Sequence, residues 1–513
     1  MKRLFDNTSF SFIDYIVLVG LNLVATPFLI DNFGVEGYGA YIFLNIFSIY
    51  GALAVFDLGM EGSLMNFVAR FQAAGEKRNI QSAVTASFVY YAIIGAIVAA
   101  LIYFGSDLLA SRMLGQNSSL DRTMLHNAIS LVALNAFVQF LVLPLTATLQ
   151  GMRRFVITKG LSAAVNTVRY SMLIVAAVVY HRIDIGFAFV LAVTVVRLAV
   201  VGHILFRWMP EMSGWRPRFE WGMFRRLFSY SSLLFVNRLV GLIHNESPKG
   251  FIWYFLTVAT MAVYDVIARP AMLLRTVLGV AVSALVPEVA RLHQKNDTAG
   301  IAGVYVNLVR YSYMFLCPLL AVMFVYIDDF INVWVGEQFV AQARLGLILL
   351  AGFLIVPISA VTNTMVVGLE QVRRTIWIPI GGTIVGLSVS ISLVQAWGLP
   401  GVLVGTLAYQ LFTIYPYARF MKRFLDLDNS LLFKPLVPVF GVAILFAAVN
   451  LAFKTVLADR SLALVGIAIV TSLGNYLVTL RCLLRPEERR FLIERWRDIR
   501  KGIPGSVGVD GEA

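Results

Sequence analysis

Long apolar runs recur from one end of this chain to the other, each closed by a short polar or glycine-containing break. The runs predict membrane-spanning helices over 10–30, 39–64, 82–105, 124–150, 160–180 and 184–206, then 227–244, 250–285, 304–327 and 345–367, then 375–395, 400–420, 435–453 and 461–481. A bilayer core about 30 Å thick needs roughly 20 apolar residues per helix, and these runs match that length. The predicted fold is an all-α polytopic membrane protein of about 14 helices. The first two spans are joined by the tight Gly34-Val35-Glu36-Gly37-Tyr38-Gly39 turn, and Asp57 and Glu61 share one face of the second span as an i, i+4 pair. The seventh span ends before Asn245-Glu246, which is predicted to lie in the following loop, and Pro270 is predicted to kink or break the long 250–285 run.

Composition supports the membrane reading. Of 513 residues, 59% are hydrophobic and 14% charged, with mean hydropathy +0.79. Soluble domains are about 25% charged. The opening Met1-Lys2-Arg3 precedes an apolar run too long for a signal core, without a cleavage site of small residues, so a retained first helix is expected. Cys317 and Cys482 stand alone as small apolar residues.

Net charge is +13 and the pI about 9.7. The location of that charge sets the orientation. With the N-terminus inside, inner segments carry 29 of the 42 Lys and Arg, outer segments 7, and the spans six. That asymmetry predicts an N-in, C-in topology. It also accounts for the pI through anionic headgroups, without nucleic acid. Two stretches, Trp215 to Phe228 and the tail from Pro486 onward, read as amphipathic helices on the membrane surface.

The two halves of the chain echo each other. Ser63 to Arg70 matches Ala284 to Arg291, and both octamers end in Val-Ala-Arg. Gly151-Met152-Arg153-Arg154 is echoed by Gly368 with Arg373-Arg374, and Ile185-Gly186 by Pro400-Gly401. Six spans separate the copies, so the repeat is parallel. The predicted organisation is an N-terminal lobe over 1–206, a cytoplasmic interfacial linker over 207–226, a C-terminal lobe over 227–425, two further helices over 426–484 and a basic amphipathic tail over 485–513. Two pseudosymmetric six-helix lobes imply a central cavity opening to alternate sides, which is a transporter plan.

Ionisable groups inside spans are costly and usually functional. The cations are Arg169, Arg197, Arg238, Arg269, Arg275 and Arg310; the acids are Asp14, Asp57, Glu61 and Asp265. Arg310 and Asp14 lie near span ends and are expected to snorkel. Asp265 and Arg269, at i and i+4, can pair with each other, and Asp57 can neutralise an arginine of a neighbouring helix. The surplus of cations points to an anionic ligand, with Arg169, Arg197, Arg238, Arg269 and Arg275 as candidate substrate-binding residues. Asp57, Glu61 and Asp265 are candidate cavity acids or ion-coupling groups. No P-loop, nucleophile elbow or metal-spaced His or Cys cluster appears, so neither an enzyme nor a cofactor is expected. The histidines fall at or near span ends and read as structural.

The run Asn32-Phe33-Gly34-Val35-Glu36-Gly37-Tyr38-Gly39, followed by Phe56-Asp57-Leu58-Gly59-Met60-Glu61, resembles the start of polysaccharide-biosynthesis flippases. These belong to the superfamily of multidrug, oligosaccharidyl-lipid and polysaccharide exporters. Ala262-Val263-Tyr264 and the loop from Gly368 to Arg374 resemble the same pattern, over roughly residues 1–425. Members often carry an acid late in the seventh span; Asn245-Glu246 is read as lying beyond it. The resemblance implies a flippase moving an undecaprenyl-pyrophosphate-linked oligosaccharide to the outer leaflet of a bacterial inner membrane, coupled to H⁺ or Na⁺. Its implied partners are the lipid-linked glycan, the membrane and a polysaccharide polymerase machinery. Competing readings are a cation-coupled multidrug antiporter, a peptidoglycan-precursor flippase and a non-transporting scaffold of a polysaccharide assembly complex.

Overall fold

The computed structural model describes residues 2–49, 51–114, 120–215, 217–283, 286–428, 430, 433–456 and 461–484. The tail expected to form a surface helix over 485–513 lies outside the described residues, as do Ala284 and Leu285 of the repeat. In chain order the helices are α1 Lys2–Asn45, α2 Met60–Ala73, α3 Lys77–Phe104, α4 Ser106–Met113, α5 Arg122–Gly151, α6 Phe155–Val175, α7 Ile183–His203, α8 Trp221–Phe255, α9 Val258–Ser283, α10 Val286–Gln294 and α11 Thr298–Val335. They continue as α12 Val340–Ala343, α13 Gly346–Gly352, α14 Val356–Gly368, α15 Val372–Thr375, α16 Trp377–Trp397, α17 Leu399–Leu425, α18 Val437–Val456 and α19 Ser461–Leu483. No strand occurs among the described residues. Eight of their helices are long and apolar enough to cross a membrane, and α13 with α14 form a further candidate span bent by 52°.

Three boundaries differ from the sequence expectation. The predicted turn at 34–39 is a single non-helical residue, Gly34 (φ 73°, ψ 170°), inside an otherwise continuous α1. Only glycine takes that backbone region without a Cβ clash. The second span, expected unbroken over 39–64, is instead interrupted between Asn45 and Met60. The seventh span does not stop at His244; α8 runs on to Phe255 through Asn245, Glu246 and Pro248. Its polar residues have partners in the protein: His244 stacks on Tyr409, Asn245 accepts from Arg275, and Glu246 pairs with Lys249. At its other end α8 begins at Trp221, after the extended residues 217–220, so 215–228 is not one surface helix.

Contacts group the chain into two compact units, residues 1–280 with 371–416 and residues 281–370 with 417–513. In the first unit, α5 is the central element, packed between α3 and α7, while α6 lies along α1 and α16 along α8. The segment before α8 is tied to α2 and α3: Gln72 Nε2 donates to Glu211 Oε1 at 3.0 Å, and Trp215 Nε1 to Thr85 Oγ1 at 3.0 Å. In the second unit, α11 packs against α14, α18 and α19. Arg310 does not snorkel; it is buried on α11, its guanidinium 5.2 Å from the Tyr311 ring.

The repeat recurs in the backbone. Left-handed residues close the same three turns in each copy. Gly75 (φ 72°) corresponds to Asn296 (φ 54°), Arg153 (φ 59°) to Glu370 (φ 57°), and His181 (φ 52°) to Gly398 (φ 63°). A left-handed residue ends a helix and reverses the chain, so matching pairs mean matching helix–turn–helix units.

Candidate functional site

The site starts at the interruption of the second span. Leu58 (φ 48°, ψ 22°) and Gly59 (φ 78°, ψ 8°) are both left-handed, which separates the 3₁₀ turn Ala52–Asp57 from α2. Asp57 and Glu61 are therefore not an i, i+4 pair on one helix face, as the sequence suggested. They are joined by a cap: the Glu61 N–H donates to Asp57 Oδ1 at 3.0 Å. The hydroxyl of Tyr91, on α3, donates to the same oxygen. The neighbouring Tyr90 hydroxyl donates to the Phe56 carbonyl at 2.8 Å. At the other end of the break, Gln139 Oε1 of α5 accepts from the Ile49 N–H at 3.0 Å. Backbone groups without helical partners are costly at membrane depth unless protein or a water-lined cavity satisfies them. Here α3 and α5 supply those partners.

On its open side the break faces a cavity of about 420 Å³ within the first unit. Ser48, Ile49, Gly51, Leu53, Ala54 and Asp57 form that wall, and Glu61 continues it. Across from them α6 presents Lys159, Ser162, Asn166, Arg169 and Tyr170. These positions recur every three or four residues, so they form one polar face of an apolar helix. Asn22 and Asn45 of α1, Thr146 and Gln150 of α5, Arg197 of α7, and Glu246 and Lys249 of α8 complete the polar lining. The Arg169 guanidinium lies 4.9 Å from the Tyr170 ring centroid, and the Tyr170 hydroxyl accepts from Asn22 Nδ2 at 2.8 Å. Lys249 and Glu246 form an ion pair of 2.9 Å.

Four cations and three carboxylates thus line one chamber. Asp57 is a buried part of the chamber wall and engaged as a cap, and Glu246 is paired with Lys249. Amides and hydroxyls fill the spaces between the charges. Such a surface offers many hydrogen-bond donors and acceptors around cationic points, which suits a hydroxyl-rich headgroup carrying negative charge.

Of the five arginines singled out in the sequence, the structure brings Arg169 and Arg197 together in this cavity. Arg269 is on α9, where it donates to Asp265 and, at 3.3 Å, to the Tyr38 hydroxyl. Arg275 is exposed, with Nη1 donating to Asn245 Oδ1 at 2.6 Å. Arg238 belongs to α8, and its side chain lies outside the described residues. Among the acids, Asp57 and Glu61 line the cavity, whereas Asp265 is held by Tyr38 and Arg269.

Sequence reasoning missed Lys159, Glu246 and Lys249. Lys159 falls where the apolar run of α6 begins, and the signal that could find it is the polar period it shares with Ser162, Asn166 and Arg169. Glu246 and Lys249 escape a hydropathy reading because the polar cluster from His244 to Lys249 ends the apolar run, whereas α8 continues through it. His244 is not a span-end residue either. It is buried within α8 and stacks on Tyr409 of α17 with ring centroids 3.5 Å apart.

A family model described as "Polysaccharide biosynthesis protein" matches residues 64–344, more than half of the chain. No curated sequence matches the chain. Among solved structures, the lipid II flippase MurJ in an inward closed conformation is similar at TM-score 0.71, with 13% identity over 96% of this chain and 99% of that one. An inward-facing multidrug resistance MATE family transporter of the MOP superfamily is similar at TM-score 0.65, with 13% identity over 80% of this chain and 94% of that one. A MOP superfamily transporter from Pyrococcus furiosus is similar at TM-score 0.55, with 14% identity over 84% and 96%. The chain is a multi-pass membrane protein that belongs to the polysaccharide biosynthesis protein family and has the fold of the MOP superfamily transporters.

Proposed function

We propose that this protein flips an undecaprenyl-pyrophosphate-linked oligosaccharide from the inner to the outer leaflet by alternating access, for surface polysaccharide biosynthesis. The observation that carries the reading is the cavity in which Arg169, Arg197 and Lys159 stand among the amides of Asn22, Asn45, Gln150 and Asn166. A sugar hydroxyl stripped of water costs roughly 4–8 kcal/mol in a medium that cannot hydrogen-bond. Amides and hydroxyls replace that hydration, and the cations hold the pyrophosphate. The charge asymmetry of the loops supports an N-in, C-in orientation in a bacterial cytoplasmic membrane. An inside-negative potential then favours outward movement of an anion by about 2.3 kcal/mol per charge per 100 mV. Glu61, which lines the cavity, is the acid we assign to H⁺ or Na⁺ coupling.

Complementation of glycan display in a strain lacking the protein tests this. Arg169→Ala and Arg197→Ala each lower display by about tenfold or more at unchanged membrane abundance, the loss expected when an interaction with a charged group is removed. Display at wild-type level in both variants defeats the assignment. The three cavity carboxylates favour one rival, a cation-coupled drug antiporter, which predicts efflux of cationic dyes and no loss of glycan on deletion.

A further inference from the structure

The interruption of the second span is held in place by residues that no binding role explains. Its backbone leaves the α-helix after Asn45 and regains it at Met60, with only the 3₁₀ turn Ala52–Asp57 between. The left-handed backbone of Leu58 is unfavourable, because it brings Cβ close to the following carbonyl oxygen. Something must favour the broken form over a straight helix. Three buried side chains from neighbouring helices grip it: Gln139 at Ile49, Tyr90 at Phe56 and Tyr91 at Asp57. Asp57 is the point where the grip and the helix start meet. One oxygen of its carboxylate accepts both the Tyr91 hydroxyl and the first-turn N–H of Glu61.

We infer that Asp57 is a positioning residue of the transport site, which acts as a hydrogen-bond acceptor to hold the second span broken and its backbone against the cavity, and that the coupling role belongs elsewhere. The inference deepens the reading of the cavity as the headgroup site and rests on it for what the wall binds. An unbroken helix would turn its peptide groups into its own hydrogen bonds and leave only side chains facing the chamber. The broken segment instead lines the chamber with Ser48, Gly51 and Ala54 between Ile49 and Leu53, and the small residues let a sugar ring approach the main chain. The acceptor geometry needs an oxygen and does not need a charge, so an asparagine serves it. A coupling acid needs a titratable group, which asparagine lacks.

The two roles separate by substitution. Asp57→Asn and Asp57→Ala are placed in the full chain with Cys317→Ser, Cys482→Ser and a single reporter, Ser48→Cys. Two properties are read in membranes: glycan display in the complemented strain, and the rate of alkylation at residue 48. With the broken span held by hydrogen bonds, Asp57→Asn keeps the alkylation rate at residue 48 within about twofold of wild type, while Asp57→Ala shifts that rate and lowers display by about tenfold, as loss of a buried acceptor implies. Tyr91→Phe removes the tyrosine's bond alone and falls between them, which keeps the inference testable if Asp57→Ala fails to accumulate. Asp57→Asn behaving like Asp57→Ala in display, with residue 48 unchanged, overturns the inference and gives Asp57 the coupling role. So does an alkylation rate that no substitution moves. Altered alkylation without any loss of display would instead retain the positioning role and sink the flippase reading.

Discussion

The Tyr38 hydroxyl donates a 2.7 Å hydrogen bond to Asp265 Oδ2, joining α1 to α9 at a point where the two backbones already touch. A Cβ on Gly39 would collide with the main chain at Val258. Arg269 closes the group by donating to Asp265 and to Tyr38. Removing one member of a buried ion pair costs about 3–5 kcal/mol, because the other charge stays behind uncompensated. Asp265→Ala is therefore expected to lower the melting temperature in nanodiscs strongly, Tyr38→Phe less so, and the double variant Asp265→Ala/Arg269→Leu to recover most of the loss. No recovery in the double variant means that Arg269 has a role beyond this pair.

Glu246 and Lys249 form their 2.9 Å ion pair one turn apart on α8, both largely buried against the cavity. Lys249→Gln leaves Glu246 as an uncompensated anion in the cavity. Glycan display is expected to fall by about tenfold, equivalent to roughly 1.4 kcal/mol. Exchange of the two residues, Glu246→Lys/Lys249→Glu, restores the pair and most of the display. If the exchange is as defective as the single change, the position of each charge matters and the pair is not merely structural.

The helices α16 and α17 approach through glycine. A Cβ on Gly405 would meet the Gly386 carbonyl at 2.6 Å and collide with the Ser390 side chain. Neither neighbour can yield without moving a helix. Gly405→Val is expected to cost about 1–3 kcal/mol or more by overpacking. Its signature is a lower melting temperature that Ser390→Ala relieves only in part, since the Gly386 carbonyl remains. A wild-type melting temperature for Gly405→Val means that the two helices are further apart than their backbones indicate.

In the second unit, Asn450 connects three helices. Its Nδ2 donates to the Phe446 carbonyl at 2.7 Å, its Oδ1 accepts from Thr471 at 2.6 Å, and its own carbonyl accepts from Tyr326 at 2.9 Å. Interhelical hydrogen bonds in membranes contribute about 0.6–2 kcal/mol each. Asn450→Leu is expected to lower stability by an amount in that range, and Thr471→Val to add little on top, because both changes remove the same bond. Additive losses would show that the bond from Thr471 Oγ1 to the Ile467 carbonyl, at 2.8 Å, carries the threonine's contribution.

Much of the architecture was legible along the chain. The apolar runs placed α3, α5, α7 and α16 within a few residues of their observed ends, because a span's length is set by the bilayer and by where polarity returns. The i, i+4 spacing of Asp265 and Arg269 already contained their pairing, which is a local property of a helix. The echoes at Gly151 and Ile185 foretold turns that recur in both copies. Hydropathy failed where neighbours decide the outcome. Nothing local in Ile46 to Gly59 says that the second span breaks; Tyr90, Tyr91 and Gln139, distant in sequence, provide the partners that make a break tolerable.

The sequence by itself determined a membrane-embedded helical protein whose two halves echo each other at matching turns and whose apolar runs hold more cations than acids, since composition, period and spacing are carried by each segment alone. The tertiary structure decided which of those charges share a chamber. Arg169 and Arg197 sit on different helices and meet only because α6 and α7 both pack in the first unit, while Arg269 turns to Asp265 and Tyr38. A buried charge takes whichever partner or cavity the packing brings within a few ångströms, and that distance is not written in any one segment.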